Sequence, residues 1–198
     1  MGSMRPLYGV PVGREQVHAV QGSVQGPGDQ LSDPASDTGA ICGEFDIRIA
    51  ADGTWFYHGS PIDRKPLVRL FARVLRREEA GEYWLVTPAE RGRIRVDDAP
   101  FVAVALSVAG AGERQRITFR TNHDDEVGAD AAHPIRVAER PCLREPAPYV
   151  LVRDRLEAKI ARPVFYQLVE LGVEERAAGA SVLGVWSAGI FFPLGALE

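Results

Sequence analysis

The chain has 198 residues, of which 45% are apolar, 25% charged and 8% aromatic, and its formal net charge is −4. This composition is typical of a soluble globular protein and excludes a fibrous repeat or wholesale disorder. The negative charge excludes a chain that coats nucleic acid over its whole surface by releasing counterions. Two cysteines are too few for a disulfide scaffold and fit a reducing, cytoplasmic location.

The N-terminal segment differs in composition from the rest of the chain. Residues 22–39 are mostly Gly, Ser, Pro, Asp and Gln and lack apolar periodicity. Such a segment cannot bury enough surface to offset the entropy of ordering it. The sequence therefore predicts a mobile tail over residues 1–42, and no part of it has the pattern of a signal peptide.

A β-hairpin and a helix are predicted next. Residues 45–49 alternate apolar and polar, and the turn signal Asp52-Gly53 precedes a second strand over 54–58. Asp63 is the expected N-cap of a helix that ends at Gly81. The apolar residues of this helix recur at helical spacing and are Leu67, Val68, Leu70, Phe71, Val74 and Leu75.

A series of strands and a second helix follow. The strands are predicted over residues 83–87, 93–96, 101–108, 114–121, 135–137 and 149–153. The second helix has Pro163 in its first turn and ends near Gly172. Residues 177–197 carry no charge, but they contain too many Ala and Gly for a lipid-facing span. We interpret them as two buried strands joined by a turn at Ser187-Ala188-Gly189.

The two predicted helices lie in similar sequence settings, at an offset of about 97 residues. Each has a proline in its first turn, Pro66 and Pro163, and each is flanked by strand patterns. This weak repeat predicts an α+β fold in which a strand–helix–strand unit is duplicated. Two small antiparallel-sheet domains are expected, over 43–98 and 99–198. Chance similarity of two such units is the alternative.

The sequence contains no phosphate-binding loop, dinucleotide fingerprint, zinc-protease motif or nucleophile elbow. Its best metal-like cluster is 122–126 with His133, for which a solvated acidic turn is the preferred interpretation. Cys42 and Cys142 are interpreted as inert thiols. We therefore predict neither a cofactor nor a metal, and a non-enzymatic role is preferred over an enzymatic one.

Positive charge is concentrated in two segments, 64–95 and 135–163, of an otherwise acidic chain. If these segments meet at a junction between two domains, they would attract a small anion. Arg64, Arg153 and Arg162 lie at predicted strand–helix junctions and are the expected phosphate ligands. The alternative is that the arginines of the first helix form an ordinary solvated face.

Eight strings along the chain carry a family resemblance. They are GTWFYHGSPI at 53–62, LVRLF at 67–71, YWLVTP at 83–88, VDDAPF at 96–101, TNHDD at 121–125, HPI at 133–135, PYVLVR at 148–153 and LEA at 156–158. These strings resemble the bacterial family known as domain of unknown function 1285. The resemblance covers about residues 43–195.

The resemblance implies a duplicated α+β unit whose C-terminal half is superficially similar to pleckstrin-homology folds. It also implies a pocket at the junction of the two halves for a nucleotide-like ligand, and a role in signalling, although the family has no established reaction. Nine positions match the family pattern and are predicted to bind the ligand: Trp55, His58, Arg64, Thr121, Asn122, Asp125, His133, Tyr149 and Arg153. Arg162, at its predicted strand–helix junction, is the tenth predicted ligand-binding residue.

The leading hypothesis is a cytoplasmic ligand-binding or signalling module that holds a small anionic, nucleotide-like molecule between its halves. The arginines would neutralise phosphate, Thr121, Asn122 and Asp125 would donate or accept hydrogen bonds, and Trp55 or Tyr149 would stack on a base. Two alternatives stay open. One is a hydrolase that uses His58, His123 or His133 with Asp125. The other is a protein-interaction module without a small ligand. Neither nucleic acid nor a membrane is an expected partner.

Overall fold

The computed structural model describes residues 41–139, 145–177 and 180–197, and these residues belong to one compact unit. Positions 1–40 of the predicted tail and the predicted thiol at Cys142 lie outside the described residues. Within these residues the fold is α+β and mostly β, with fifteen strands, two α-helices and one turn of 3₁₀ helix.

The first sheet has six strands and belongs to the N-terminal half. Its strands are β1 (Ile41–Ile49), β2 (Trp55–Tyr57), β3 (Ser60–Pro61), β4 (Leu75–Arg77), β5 (Tyr83–Val86) and β6 (Glu90–Val96). They are ordered β3-β2-β1-β6-β5-β4, and only β1 and β6 pair in parallel. Helix α1 (Lys65–Val74) connects β3 to β4 and buries Val68 and Ala72.

The second sheet also has six strands and belongs to the C-terminal half. Its strands are β7 (Phe101–Ala109), β8 (Arg116–Thr121), β9 (Glu126–Gly128), β10 (Ile135–Glu139), β11 (Pro146–Arg153) and β12 (Leu156–Ile160). They are ordered β10-β11-β12-β7-β8-β9, and only β7 and β12 pair in parallel. The 3₁₀ turn (Gly112–Arg114) lies between β7 and β8.

A second helix and a third sheet complete the chain. Helix α2 (Arg162–Glu170) is followed by the antiparallel strands β13 (Val173–Ala177), β14 (Ala180–Ser187) and β15 (Ile190–Leu197). Each helix is thus preceded by an antiparallel pair and followed by three consecutive antiparallel strands. The two halves differ in the pairing of these last three strands, because β6 joins β1 whereas β13–β15 form a sheet of their own.

One apolar cluster extends through both halves. Its largest fully buried side chains include Phe101, Phe119, Leu75, Leu156 and Leu168, which come from both six-stranded sheets and from α2. Since a single cluster joins the halves, the side chains at their junction are held by core packing as well as by polar contacts.

Two predicted features of α1 are wrong. Arg64 rather than Asp63 occupies the N-cap, and it makes no side-chain capping hydrogen bond. The helix ends before Leu75 rather than at Gly81, because Leu75 is fully buried and pairs with Leu85 across the β4–β5 ladder. Sheet pairing therefore outcompetes the helical periodicity at this position.

The uncharged C-terminal stretch forms the predicted pair of strands. Ala188 and Gly189 make the turn between β14 and β15, with φ values of 52° and 78°. The buried hydroxyl of Ser187 accepts the N–H of Ile117 and donates to the carbonyl of Ala129, which ties the hairpin to the second sheet. No helix among the described residues is long and apolar enough to cross a membrane.

Candidate functional site

Five side chains from both halves meet where the halves adjoin, and we call them the junction cluster: Trp55, Phe71, Phe101, His123 and Arg153. The Trp55 and Phe71 rings stack with centroids 6.1 Å apart. The His123 ring is roughly perpendicular to those of Trp55 and Phe101, with centroids 6.4 Å and 5.8 Å apart. The Arg153 guanidinium lies 5.2 Å from the centroid of Phe101.

The arginine of the junction cluster is used within the chain. Arg153 donates to the backbone carbonyl of Ala72 in α1, so a cation from β11 binds the helix of the other half. Trp55 is only 2% exposed. The cluster therefore forms a packed seam between the halves, and a ligand that contacted Arg153 would compete with the Ala72 carbonyl.

The turn after β8 is held by its own side chains and makes one hydrogen bond across the junction. Thr121 Oγ1 accepts the backbone N–H groups of His123 and Asp125, both at 3.2 Å, and fixes the turn. Asn122 Oδ1 accepts the N–H of Val102 at 3.1 Å, and its amide donates to the carbonyl of Gly53 at 3.4 Å. Three predicted site residues are thus adjacent here, and the side chains of Thr121 and Asn122 organise backbone.

His123 occupies an apolar position that affects its protonation. Its Nε2 and the indole nitrogen of Trp55 are buried with no hydrogen-bond partner among the described residues. Burial lowers the pKa of His123, and the positive charges of Arg69 and Arg153 lower it further, while Asp125 and Asp124 oppose them. The arrangement favours the neutral imidazole.

Tyr149 lies apart from the junction cluster. It is 8% exposed, and its hydroxyl donates to Asp98 Oδ1 at 2.7 Å. The guanidinium of Arg136 lies 4.4 Å from the centroid of its ring. One face of the predicted base-stacking ring is therefore already covered by a cation of the same chain.

Three further predicted residues occupy separate positions, of which those of Arg64 and Arg162 are exposed and that of His133 is half-buried. Arg64 caps α1 with its backbone, and its side chain is exposed. His133 Nδ1 lies 3.0 Å from Asp130 Oδ1 within one turn, and this hydrogen bond lowers the pKa of Asp130. Arg162 lies at the start of α2. The ten predicted residues therefore do not form one pocket.

Arg162 borders a cavity of about 530 Å³ between α2 and the second sheet. Lys159 and Tyr166 also line this cavity. Both cations have acidic partners, since Arg162 lies 3.3 Å from Glu145 and Lys159 lies 2.8 Å from Asp98. An anion would have to displace these carboxylates to bind here.

A larger and more apolar space opens between α1 and the first sheet, and we call it the helix groove. Its volume is about 690 Å³. Its walls are the apolar side chains of Phe45, Ile62, Leu67, Phe71, Val74 and Leu85. All of them except Leu85 are partly exposed, so α1 leaves this part of the sheet uncovered.

A histidine–carboxylate pair lies at the mouth of the helix groove. Asp46 is opposite His58 in the β1–β2 hairpin, and His58 Nδ1 lies 3.0 Å from Asp46 Oδ2. His58 and Gly59 form the turn to β3 with φ values of 47° and 76°, which is the pattern of a type I′ hairpin turn. The turn points the imidazole outward, and its side chain is 65% exposed.

The hydrolase alternative required a histidine with Asp125. The carboxylates beside the imidazoles of His58 and His133 are instead Asp46 and Asp130. Asp125 acts on His123 through its charge. In the described part of the chain, no three or more His, Cys, Asp or Glu side chains are grouped so that they could hold a metal ion.

Two family models match this chain, and the boundary between them lies between the two six-stranded sheets. The model of the N-terminal domain of DUF1285, a domain of unknown function, matches residues 38–99, and the model of its C-terminal domain matches residues 100–194. The chain belongs to the DUF1285 family. The resemblance found in the sequence is thereby confirmed, and the family description assigns no activity.

Two solved structures of DUF1285 proteins are similar to this chain. One, from Silicibacter pomeroyi DSS-3, is 52% identical with a TM-score of 0.74, over 80% of this chain and 85% of that chain. The other, from Shewanella baltica OS155, is 24% identical with a TM-score of 0.50, over 64% of this chain and 91% of that one, and supports the fold alone. No curated protein matches this DUF1285 chain.

The sequence predictions missed the helix groove and the partner of His58. The partner was accessible, because the Asp52-Gly53 turn and antiparallel pairing place Asp46 opposite His58. The helix groove was harder to predict from the sequence. Leu67 and Phe71 belong to the apolar stripe predicted for the first helix, and only the width of this stripe indicates that part of it lacks a covering element.

Proposed function

We propose that this DUF1285 protein is a binding module and that its ligand is a small molecule with an apolar body held in the helix groove. The observation that carries the proposal is the groove itself, about 690 Å³ with apolar walls left partly open to solvent. Ligand sites in proteins are mostly apolar and have volumes of roughly 300–1,000 Å³. The groove also has a few polar groups, among them Asp46 and His58, at its mouth.

The proposal keeps the ligand-binding class inferred from the sequence and changes the place and chemistry of the site. An anion between the halves would need free cations there. Arg153 donates to a carbonyl and Arg69 pairs with Asp124 across the junction. The apolar walls of the helix groove, in contrast, remain partly exposed in the described part of the chain.

The predictions of a signalling role, a protein partner, a cytoplasmic location and a duplicated fold unit are kept as parts of this proposal. A binding role is compatible with signalling, with a partner protein and with a cytoplasmic location. The order of elements around α1 and α2 supports a duplicated unit, with a pleckstrin-like C-terminal half as part of the proposal. None of these features is needed for the groove to bind a ligand.

Octanol tests the proposal because it is neutral, soluble and short enough for the groove. Titration into isotopically labelled protein should give saturable NMR shifts at Leu67, Val74 and Leu85. Nuclear Overhauser contacts between octanol and the Leu67 methyl groups should appear in the unmodified protein. Shifts spread over the surface without saturation would overturn the proposal.

A pair of tryptophan substitutions on α1 provides the matched test. Leu67 lines the groove, whereas Leu70 lies on the same helix, is 56% exposed and does not line it. Leu67→Trp should fill the groove and abolish octanol binding, and Leu70→Trp should leave it unchanged. Equal binding by both variants would refute the site. If Leu67→Trp does not fold, the Overhauser contacts of the unmodified protein decide.

A further inference from the structure

We infer, on the basis of the proposed binding function, that the ligand of the helix groove carries a primary ammonium group beside its apolar body. The juxtaposition that leads to this inference is an apolar cavity whose charged mouth residues are all acidic. Glu44, Asp46 and Glu90 line the groove, and neither lysine nor arginine is among its lining residues.

The cations of α1 do not reach this mouth. The residues that α1 contributes to the groove are Leu67, Phe71 and Val74. Arg69 leaves the same helix on another side, where it pairs with Asp124 of the C-terminal half. The helix therefore provides an apolar wall, and the charge of the mouth comes from the sheet and its turns.

The acids at the mouth differ in how far they are neutralised. Glu44 pairs with Arg93, and Asp46 Oδ1 lies 3.5 Å from Arg95. Glu90 has no ion-pair partner among the residues described, and its hydrogen bonds with Thr87 use its backbone. Its carboxylate is exposed and remains able to accept hydrogen bonds from a ligand.

The Asp46–His58 pair adds a further acceptor. An ionised carboxylate only accepts hydrogen bonds, so the 3.0 Å contact requires the hydrogen to be on His58 Nδ1. In the neutral imidazole, Nε2 then carries a lone pair. The mouth thus offers the carboxylates of Glu90 and Asp46 as acceptors, and His58 adds its Nε2 when the ring is neutral. A group with three N–H donors and a positive charge complements them, whereas a carboxylate or phosphate would be repelled.

Three octyl probes of equal chain length separate the contribution of the head group from that of the apolar body. Octylammonium should bind about tenfold more tightly than octanol, because hydrogen bonds to charged groups are roughly twice as strong as neutral ones. Octanoate should bind more weakly than octanol. The preference for octylammonium should decrease when the salt concentration is raised to about 0.5 M, because salt screens the exposed charges of the mouth.

Substitutions at the mouth assign the preference to named acids. Glu90→Gln and Asp46→Asn should each reduce the preference for octylammonium over octanol several-fold, because each removes one negative charge from the mouth. Glu126→Gln in β9 removes an exposed acid elsewhere and should have no effect. Equal affinities for the three probes, with shifts still at Leu67, would overturn the ammonium inference and leave the proposed function standing. Absence of groove shifts with every probe would overturn both.

Discussion

Gly53 is the residue at which one added methyl group should most directly disturb the contact between the halves. Its φ of +84° lies in the left-handed region, where an alanine costs roughly 1–2 kcal/mol. A Cβ built there would also lie 2.6 Å from Asn122 Nδ2 and 2.9 Å from Val102 Cγ2. Both neighbours are side chains of the C-terminal half, so these side chains would have to shift away from the turn.

The second contribution comes from the hydrogen bond that Asn122 makes to backbone. If its side chain moves, the backbone N–H of Val102 loses its acceptor, at a cost of about 1–3 kcal/mol for a part-buried group. Gly53→Ala should therefore lower the free energy of unfolding by about 2–5 kcal/mol, the sum of the strain and the lost acceptor.

Gly59 is the matched control for this prediction. It has a similar φ of +76°, but a Cβ there would meet nothing within 4 Å. Gly59→Ala should therefore show the backbone strain alone, about 1–2 kcal/mol. Urea unfolding followed by tryptophan fluorescence measures both variants. If Gly53→Ala is no more destabilising than Gly59→Ala, the close approach at the junction does not contribute to stability and the reasoning fails.

Two further predictions concern stability. Because the pKa of His123 is lowered in the folded state, the unfolded chain binds a proton more readily. The free energy of unfolding should therefore fall as the pH drops below the ordinary value of 6.5, and it should level off below the lowered pKa. Urea unfolding from pH 8 to pH 5 measures this dependence, and the same slope in His123→Phe would assign it to other groups. Ser187→Ala leaves the Ile117 N–H and the Ala129 carbonyl without their partner, so thermal unfolding should show a free energy of unfolding lower by about 1–3 kcal/mol. Ser60 is exposed, and Ser60→Ala should change the stability little. Equal effects of the two substitutions would contradict the bridging role of Ser187.

Local patterns were sufficient for most of the fold. The alternation over 45–49 and the Asp52-Gly53 signal predicted the first hairpin, and it forms between β1 and β2. Strand β12 was not predicted, although the sequence carries its signal. Leu156, Ala158 and Ile160 are buried and alternate with charged residues. A period-two count over these five residues would have found it.

The end of α1 and the site depend on tertiary contacts that local patterns do not encode. Leu75 continues the helical stripe and also fits a strand, and only its pairing with Leu85 decides between them. The hypothesis of a ligand between the halves placed Trp55, Asn122 and Arg153 among ten residues of one binding site. It did not indicate that the polar groups of the latter two would bind backbone of the facing half rather than remain available to a ligand.

The pairing of β1 with β6 has a consequence for how the chain folds. The β1–β2 hairpin is local and can form within microseconds, but the other edge of β1 stays open until residues up to Val96 have been made, since Ile49 pairs with Val96. The second sheet repeats the situation, because Ala103 of β7 pairs with Ile160 of β12. Each sheet is therefore completed by a parallel contact distant in sequence, which slows folding and leaves a strand edge exposed to aggregation in the nascent chain.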